Sequence, residues 1–188
     1  NNGEVTTAHP MGGLVFAEAL AMSGDKRLKP IIQQLAAFSL AAEDPGVGGW
    51  NGYQVQREGE THVTLAQIQF LFTSGLLGKE TRQRTSRFLD SVQYDGGTRY
   101  YARRNNHSEN MRDDAAGLYL RVLLGCEPDN PALVKGIARL REERWRMYDA
   151  ETSLSISQLL FQLGGKDWAD WNAAYSAKVI REQETEGL

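Results

Sequence analysis

The sequence predicts an all-α fold of about four helical hairpins arranged in two layers. Glycine breaks at Gly24, Gly78, Gly125 and Gly164 are separated by 54, 47 and 39 residues, a period typical of helical-hairpin repeats. Between these breaks, helices that are apolar on nearly all faces alternate with amphipathic helices. This alternation indicates a buried inner layer shielded by an outer layer, and no segment shows a strand pattern of comparable length.

The inner layer is predicted from four segments that are apolar around most of their circumference. Pro10 suits the first turn of the first segment, and Thr61 is the predicted N-cap of the second. The segments run from His9 to Ser23, from about Thr64 to Leu77, from about Met111 to Leu124 and from Glu151 to Leu163.

The outer layer is predicted from four amphipathic segments, each with one charged face. They run from Lys26 to Glu43, from Lys79 to Gln93, from Pro131 to about Arg144 and from Lys166 to Glu182. Asn130 and Pro131 are the expected N-cap and first residue of the third. A glycine-rich loop, Asp44 to Tyr53, contains Trp50 and Tyr53 as large anchors.

Length and composition favour one soluble domain over residues 1–188. The chain has 188 residues, 41% of them hydrophobic, which is enough for a sizeable core. The charged fraction of 24% and the net charge of −3 lack the basic excess of a nucleic-acid surface. No apolar run reaches the length of a membrane span. We therefore expect neither nucleic acid nor a membrane-spanning segment.

The compartment is left open by the sequence. A single cysteine, Cys126, excludes an internal disulfide but fits oxidising and reducing surroundings equally. The chain starts at Asn1, and a signal peptide upstream of it is compatible with the sequence.

Four segments carry motifs of a known repeat: Gly-Gly-Trp at Gly48 to Trp50, the segment from Leu89 to Gly97, the helix from Ala115 to Gly125, and Gln-x-x-x-Gly at Gln183 to Gly187. With them the chain resembles the prenyltransferase and squalene-oxidase repeat family of terpenoid cyclase-like α/α toroids. The resemblance implies concentric rings of helix pairs tied by a Gln-x-x-x-Gly-x-Trp motif. That motif is degenerate here, since Arg99 stands at the tryptophan position after Gln93.

Four hairpins are fewer than a complete toroid of this family contains. The resemblance therefore implies an incomplete, open α/α toroid, with further hairpins of the same protein or self-assembly as the partners that complete it.

The resembled family has two chemistries, and the sequence matches the motif of neither in full. Its cyclases protonate an isoprenoid with an Asp-x-Asp-Asp motif, and the nearest candidate is Asp113-Asp114, with Met111 in place of the first aspartate. Two acidic residues in the first turn of a helix are also what the helix dipole favours, and we prefer that structural interpretation. Its prenyltransferases bind zinc through aspartate, cysteine and histidine, but Cys126 lacks an Asp-x-Cys arrangement. We expect no metal and no cofactor.

The starts of the inner helices line one mouth of the cavity in the resembled fold. Aromatic, arginine and acidic residues at such a mouth suit a small-molecule or glycan ligand. Capping, packing and solvated charge are the alternative roles for the same residues. The candidate ligand-binding residues are His9, Trp50, Tyr53, His62, Tyr100, Arg103, Asp113 and Glu151.

Two classes of function follow. The first is a non-catalytic binding or scaffold module with a ligand in its concave mouth. The alternative is an enzyme, either a glycan lyase or hydrolase with His62 or His107 and a tyrosine as acid and base, or a fragment of a terpene cyclase-like enzyme. Whether catalysis occurs is left open, and the candidate catalytic residues are His62, Tyr101, Asp113 and Asp114.

Overall fold

The computed structural model describes residues 5–52, 58–142 and 149–186, and within them the fold is mostly helical with a small antiparallel sheet. A helix forms at each predicted position, but the first begins at Val5 and not at His9, so Pro10 lies inside it and not in its first turn. The helices are α1 (Val5–Ser23), α2 (Leu28–Ala42), α3 (Thr61–Thr73), α4 (Lys79–Val92), α5 (Met111–Leu123), α6 (Pro131–Glu142), α7 (Ala150–Leu163) and α8 (Gly165–Glu186). Tyr53 and the predicted end of the third outer helix at Arg144 lie outside the described residues.

The four inner helices pack against one another in chain order. Helix α3 lies between α1 and α5, and α5 lies between α3 and α7. Helices α2, α4, α6 and α8 each contact the inner helix of their own hairpin. Burial is deepest in the centre, where every residue from Asp113 to Leu120 is buried. None of the described helices combines the length and the hydropathy needed to cross a membrane.

Helix α3 is displaced toward the N-terminus relative to its predicted range of Thr64 to Leu77. Gly75 adopts φ +72° and ends the helix, with the amide of Leu76 donating to the carbonyl of Leu71 at 2.9 Å. This is the Schellman arrangement, in which glycine is favoured because it lacks a Cβ. The prediction of Thr61 as N-cap is wrong: Thr61 is the first helical residue, and its hydroxyl donates to the carbonyl of Tyr101 at 2.6 Å.

A three-stranded antiparallel sheet, absent from the sequence prediction, lies within residues 93–109 of the described chain. Its strands are β1 (Gln93–Tyr94), β2 (Arg99–Arg103) and β3 (Asn106–Glu109), with β2 in the centre. A 3₁₀ turn joins β1 to β2, and its Gly96 and Gly97 have φ of +68° and +82°. Glycine is required there because other residues rarely adopt this left-handed conformation.

Contacts distant in sequence attach this sheet to the starts of the inner helices. Strand β2 packs against α3, α4 and α5. The buried carboxylate of Asp114 accepts from the amide of Tyr100 at 2.7 Å and from Arg99 Nε at 3.2 Å. The sheet therefore holds its side chains beside the first turns of α3 and α5.

Candidate functional site

Four ionisable side chains and one amide lie together at the starts of α3 and α5, and we call Glu60, His62, Arg103, Asp113 and Asn110 the charged cluster. His62 is at its centre: Nδ1 lies 3.2 Å from Asp113 Oδ1, and Nε2 lies 3.4 Å from Glu60 Oε2. The other oxygen of Glu60 pairs with Arg103, which β2 supplies. The sheet and two inner helices thus build one site.

Asp113 is held in place on both oxygens. Its side chain is fully buried, and Asn110 Nδ2 donates to Asp113 Oδ2 at 2.7 Å. Asn110 is also the N-cap of α5, because its Oδ1 accepts from the amide of Asp113 at 2.8 Å. A carboxylate fixed in this way orients the imidazole of His62 by accepting from one ring nitrogen.

The imidazole of His62 lies between two buried carboxylates. The side chain of His62 is 16% exposed, whereas those of Glu60 and Asp113 are 8% and 0% exposed. Only a doubly protonated imidazole donates to both carboxylates at once. Among the residues that the structure describes, no three His, Cys, Asp or Glu side chains are arranged to hold a metal ion.

Asp114 faces away from this cluster although it follows Asp113 in sequence. It pairs with Arg99, whose Nη1 also donates to Glu109 Oε2 at 2.6 Å. Burial raises the pKa of Asp114, and the amide of Tyr100 and the charge of Arg99 oppose that rise. Its role is to attach the sheet to α5, and Arg99, at the tryptophan position of the degenerate motif, makes that attachment.

A row of polar side chains continues from the charged cluster along α3, α5 and α7. On each helix, residues seven positions apart share one face. The side chains are His62 and Gln69 on α3, Arg112 and Tyr119 on α5, and Glu151 and Gln158 on α7, and we call this surface the inner face.

Two contacts fix the register of these helices. Arg112 Nη1 lies 3.7 Å from Glu151 Oε2 at the helix starts, and Gln69 Nε2 donates to Gln158 Oε1 at 2.6 Å two turns later. The three helices therefore run in parallel.

A pocket of about 230 Å³, the inner pocket, lies at the far end of the inner face and is lined by α1, α3, α5 and α7. Tyr119 shares side-chain hydrogen bonds with Gln69 and Gln162, and burial raises the pKa of its hydroxyl, which keeps it protonated and neutral. The polar lining includes Gln69, Tyr119, Gln158 and Gln162, and the exposed residues Glu18, Phe72 and Phe161 form the rim, so its one carboxylate lies at the solvent side.

A larger pocket of about 360 Å³ lies elsewhere, against α4, α5, α6 and the 3₁₀ turn. Tyr100 belongs to this pocket and not to the charged cluster. Its hydroxyl accepts from Arg121 Nε at 3.1 Å and donates to the carbonyl of Gly97 at 3.2 Å. Arg121 is in turn paired with Asp90 at 2.7 Å, so its charge is already balanced.

Three other candidates are placed away from the cluster. His9 Nε2 lies 3.0 Å from the carbonyl of Leu35, so His9 joins α1 to α2. Trp50 is 1% exposed, and its indole donates to the carbonyl of Ser39 at 2.7 Å, which makes it a core residue. The ring of Tyr101 stacks between Tyr94 and His107, at centroid distances of 4.0 and 4.6 Å.

The structure thus brings His62, Arg103 and Asp113 together and places Glu151 on the inner face through Arg112. It separates them from His9, Trp50, Tyr100, Asp114 and the ring of Tyr101, and Tyr53 lies outside the described residues. Sequence reasoning missed Glu60, Asn110 and the residues of the inner pocket. The seven-residue spacing from His62 to Gln69 and from Glu151 to Gln158, on helices otherwise rich in apolar residues, is the signal that identifies the latter.

The chain matches no family model, no curated protein and no solved structure. The functional assignment therefore depends on the inner face, the charged cluster and their geometry.

Proposed function

We propose that this protein is an open arc of four hairpins of the prenyltransferase and squalene-oxidase repeat type, and that its concave inner face binds a neutral, polar small molecule or glycan. The chain-order packing of α1, α3, α5 and α7 supports the arc. The inner pocket supports the concave binding face, because all four of these helices contribute to its lining.

The observation that carries this proposal is the chemistry of the inner pocket. Primary amides of Gln69, Gln158 and Gln162 each offer donors and an acceptor, and Tyr119 adds a neutral hydroxyl. Phe72 and Phe161 give the rim an apolar surface, and they are 43% and 66% exposed. A sugar ring presents the matching surfaces: hydroxyls around its edge and C–H groups on its faces.

The volume of the pocket limits the size of the ligand that it can hold. Its volume of about 230 Å³ is below the range of roughly 300–1,000 Å³ that is usual for drug-sized ligands. A single ring or one unit of a longer chain fits better. The inner face leads from the pocket toward the charged cluster, which gives a longer glycan a polar path.

An array of neutral and uronate-containing oligosaccharides tests this proposal. We expect neutral oligosaccharides to bind, with affinities then measured by calorimetry. Gln69→Ala and Gln158→Ala should each weaken binding by about tenfold or more, because losing one hydrogen bond to a buried partner costs about 1–3 kcal/mol. Gln33→Ala, at an exposed glutamine of α2, should leave the affinity unchanged.

Absence of any binder on the array would contradict the proposal. So would binding that survives both substitutions in the inner pocket. If uronates bind preferentially and Arg112→Gln abolishes that binding, the binding site lies at the charged end of the inner face.

A second candidate function is glycan cleavage, and the contact between His62 and Asp113 favours it. A buried carboxylate that accepts from one imidazole nitrogen holds the other in position for proton transfer. Here Nε2 faces Glu60 at 3.4 Å, a distance longer than a good hydrogen bond. A substrate group that replaces this contact would meet an oriented acid or base.

Mass spectrometry of oligosaccharides incubated with the protein tests cleavage. Shortened products should appear, and an elimination product is lighter by one water than a hydrolysis product. His62→Gln and Asp113→Asn should each reduce turnover by about 100-fold or more while leaving Kd within about twofold. His107→Gln, at an exposed histidine of β3, serves as the control. Intact oligosaccharides after prolonged incubation would rule out this candidate.

A further inference from the structure

The pocket of about 360 Å³ against α4, α5, α6 and the 3₁₀ turn is separate from the inner face, and none of the described residues lines both pockets. Its volume is at the lower end of the range of roughly 300–1,000 Å³ that is usual for ligand pockets, so it suits a small molecule. Ser86 and Asp90, four residues apart, share one face of α4. Leu118 and Arg121, three apart, share one face of α5. We call this pocket the outer pocket, and its lining includes Asp90, Gln93, Tyr100, Leu118, Arg121 and Leu133.

One part of the outer pocket is apolar. Leu118, Leu133 and the ring of Tyr100 line it, although they are only 1%, 2% and 1% exposed. Gly97 leaves this space open, because a Cβ there would lie 3.0 Å from Gln93 Oε1. An apolar group of a ligand would therefore find buried side chains to pack against.

The other part of the outer pocket is an ion pair between Arg121 and Asp90. Arg121 Nη2 donates to Asp90 Oδ1 at 2.7 Å and to Gln93 Oε1 at 2.9 Å, and its Nε donates to the hydroxyl of Tyr100. Within residues 5–52, 58–142 and 149–186, neither Arg121 Nη1 nor Asp90 Oδ2 has a hydrogen-bond partner. The pair thus has one cationic donor group and one anionic acceptor atom still available to a ligand.

The neutrality of this pair determines which charges a ligand can bring. A simple anion would add a second negative charge beside Asp90, and a simple cation would add a second positive charge beside Arg121. A zwitterion avoids both costs, because its carboxylate can accept from the guanidinium while its ammonium donates to the aspartate. Both contacts are charge-assisted hydrogen bonds, which are the stronger kind.

We infer that the outer pocket binds a free α-amino acid with a large apolar side chain. The carboxylate of the amino acid accepts from Arg121 Nη1, and its ammonium donates to Asp90 Oδ2. Its side chain packs against Leu118, Leu133 and the ring of Tyr100. The two charged groups of a free amino acid are attached to one carbon, so they lie side by side as the charges of the ion pair do. A peptide has its terminal charges on different residues and lacks this arrangement.

Calorimetry with the whole wild-type chain tests this inference without any substitution. Leucine and phenylalanine should bind. Three analogues should bind at least about tenfold more weakly, because each lacks one of the three recognised groups. The analogue 4-methylpentanoate is leucine without the ammonium, 3-methylbutylamine is leucine without the carboxylate, and glycine keeps both charges but has no apolar side chain.

Substitution of Asp90 tests the assignment of the two charges. Asp90→Asn should weaken leucine binding by about tenfold or more, because the ammonium loses its anionic partner. The same variant should bind 4-methylpentanoate more tightly than wild type does, because the negative charge that opposes a simple anion is gone. Asp167→Asn is the matched control, since Asp167 also pairs with an arginine, Arg141, but does not line the outer pocket.

Four results would overturn the inference. They are no binding of leucine or phenylalanine at millimolar concentrations, equal affinities for leucine and 4-methylpentanoate, unchanged leucine affinity in Asp90→Asn, and lost leucine affinity in Asp167→Asn. Circular dichroism verifies that both variants are folded, which the 57% exposure of the Asp90 side chain leads us to expect. Glycan binding to the inner pocket involves other residues, so its outcome does not decide this test.

Discussion

Asp113 and Asp114 illustrate how one residue step on a helix separates two carboxylates that are adjacent in sequence. Successive residues point about 100° apart around a helix, so neighbouring carboxylates reach different surroundings. Asp113 contacts His62 at 3.2 Å, whereas Asp114 contacts Arg99 at the same distance on another side. The first carboxylate therefore belongs to the charged cluster, and the second fixes the sheet.

Gly117 is required by the ring of Tyr100. A Cβ on Gly117 would lie 2.6 Å from Tyr100 Cδ1 and nearer still to two other ring atoms. The ring cannot move freely, because Tyr100 is 1% exposed and its hydroxyl bonds to Arg121 and Gly97. Gly117→Ala should lower the free energy of unfolding by about 1–3 kcal/mol, measured by urea denaturation.

Gly12→Ala is the matched control for this prediction. Gly12 also lies inside a helix, but a Cβ there would meet nothing within 4 Å. We expect a gain of up to about 1 kcal/mol from helix propensity alone. Equal effects at the two positions would show that the Tyr100 ring does not enforce glycine at position 117.

The charged cluster shows which site residues can be predicted from the sequence and which cannot. The periodicity predicts His62 and Asp113 at the starts of two inner helices, yet these residues are 51 positions apart in sequence. Only the packing of α3 beside α5 brings them within 3.2 Å. Glu60 precedes its helix and Arg103 comes from an unpredicted strand, so neither had a periodic signal.

At the scale of elements, substitutions of Asp149 test how much its cap stabilises α7. Its Oδ1 accepts from the amide of Thr152 at 2.9 Å, which caps the helix, and this bond is the main reason why the pKa of Asp149 is lowered. Asp149→Ala should cost about 1 kcal/mol of unfolding free energy near neutral pH. Asp149→Asn should cost much less, because an amide oxygen also accepts this bond.

The pH dependence of this cap has a definite sign. A pKa lowered in the folded state means that the carboxylate stabilises the fold above its ordinary value of 3.8, and that this contribution is lost as the pH falls through the lower folded value. The difference between wild type and Asp149→Ala should therefore shrink in acid. A difference that grows as the pH falls below 3.8 would contradict the cap.

Helices and strands differ in how well the sequence predicts them. The helix positions follow from apolar spacing and from Gly and Pro signals, which are local. The strands contain two, five and four residues, and β3 is exposed along its whole length, so they lack the alternation of a half-buried strand. Their formation depends on Asp114 and Thr61, which lie on helices distant in sequence and hydrogen-bond to the strand backbone.

At the scale of the whole molecule, the glycine period indicates the number of hairpins and their layering but not how deeply each inner helix is buried. Burial of α1 and α7 depends on what lies beside them, and a periodic pattern is the same for a central and a terminal repeat. Apolar side chains that are more than half exposed, such as Met22 at 89% on α1 and Phe161 at 66% on α7, occur on these two inner helices but not among the described residues of α3 and α5.

Serial packing also predicts a gradient of stability along the chain. Helix α5 is covered by α3, α6, α7 and β2, and its residues from Asp113 to Leu120 are all buried. Helix α8 contacts chiefly α7, and among its described side chains only Trp171 is buried. Segments with few buried contacts open without unfolding the rest, and their amides exchange faster.

Hydrogen exchange followed by mass spectrometry should therefore show α8 exchanging at least about 100-fold faster than α5. Equal protection of α5 and α8 would mean that the four hairpins unfold only as one unit, and that chain-order packing does not divide their stability.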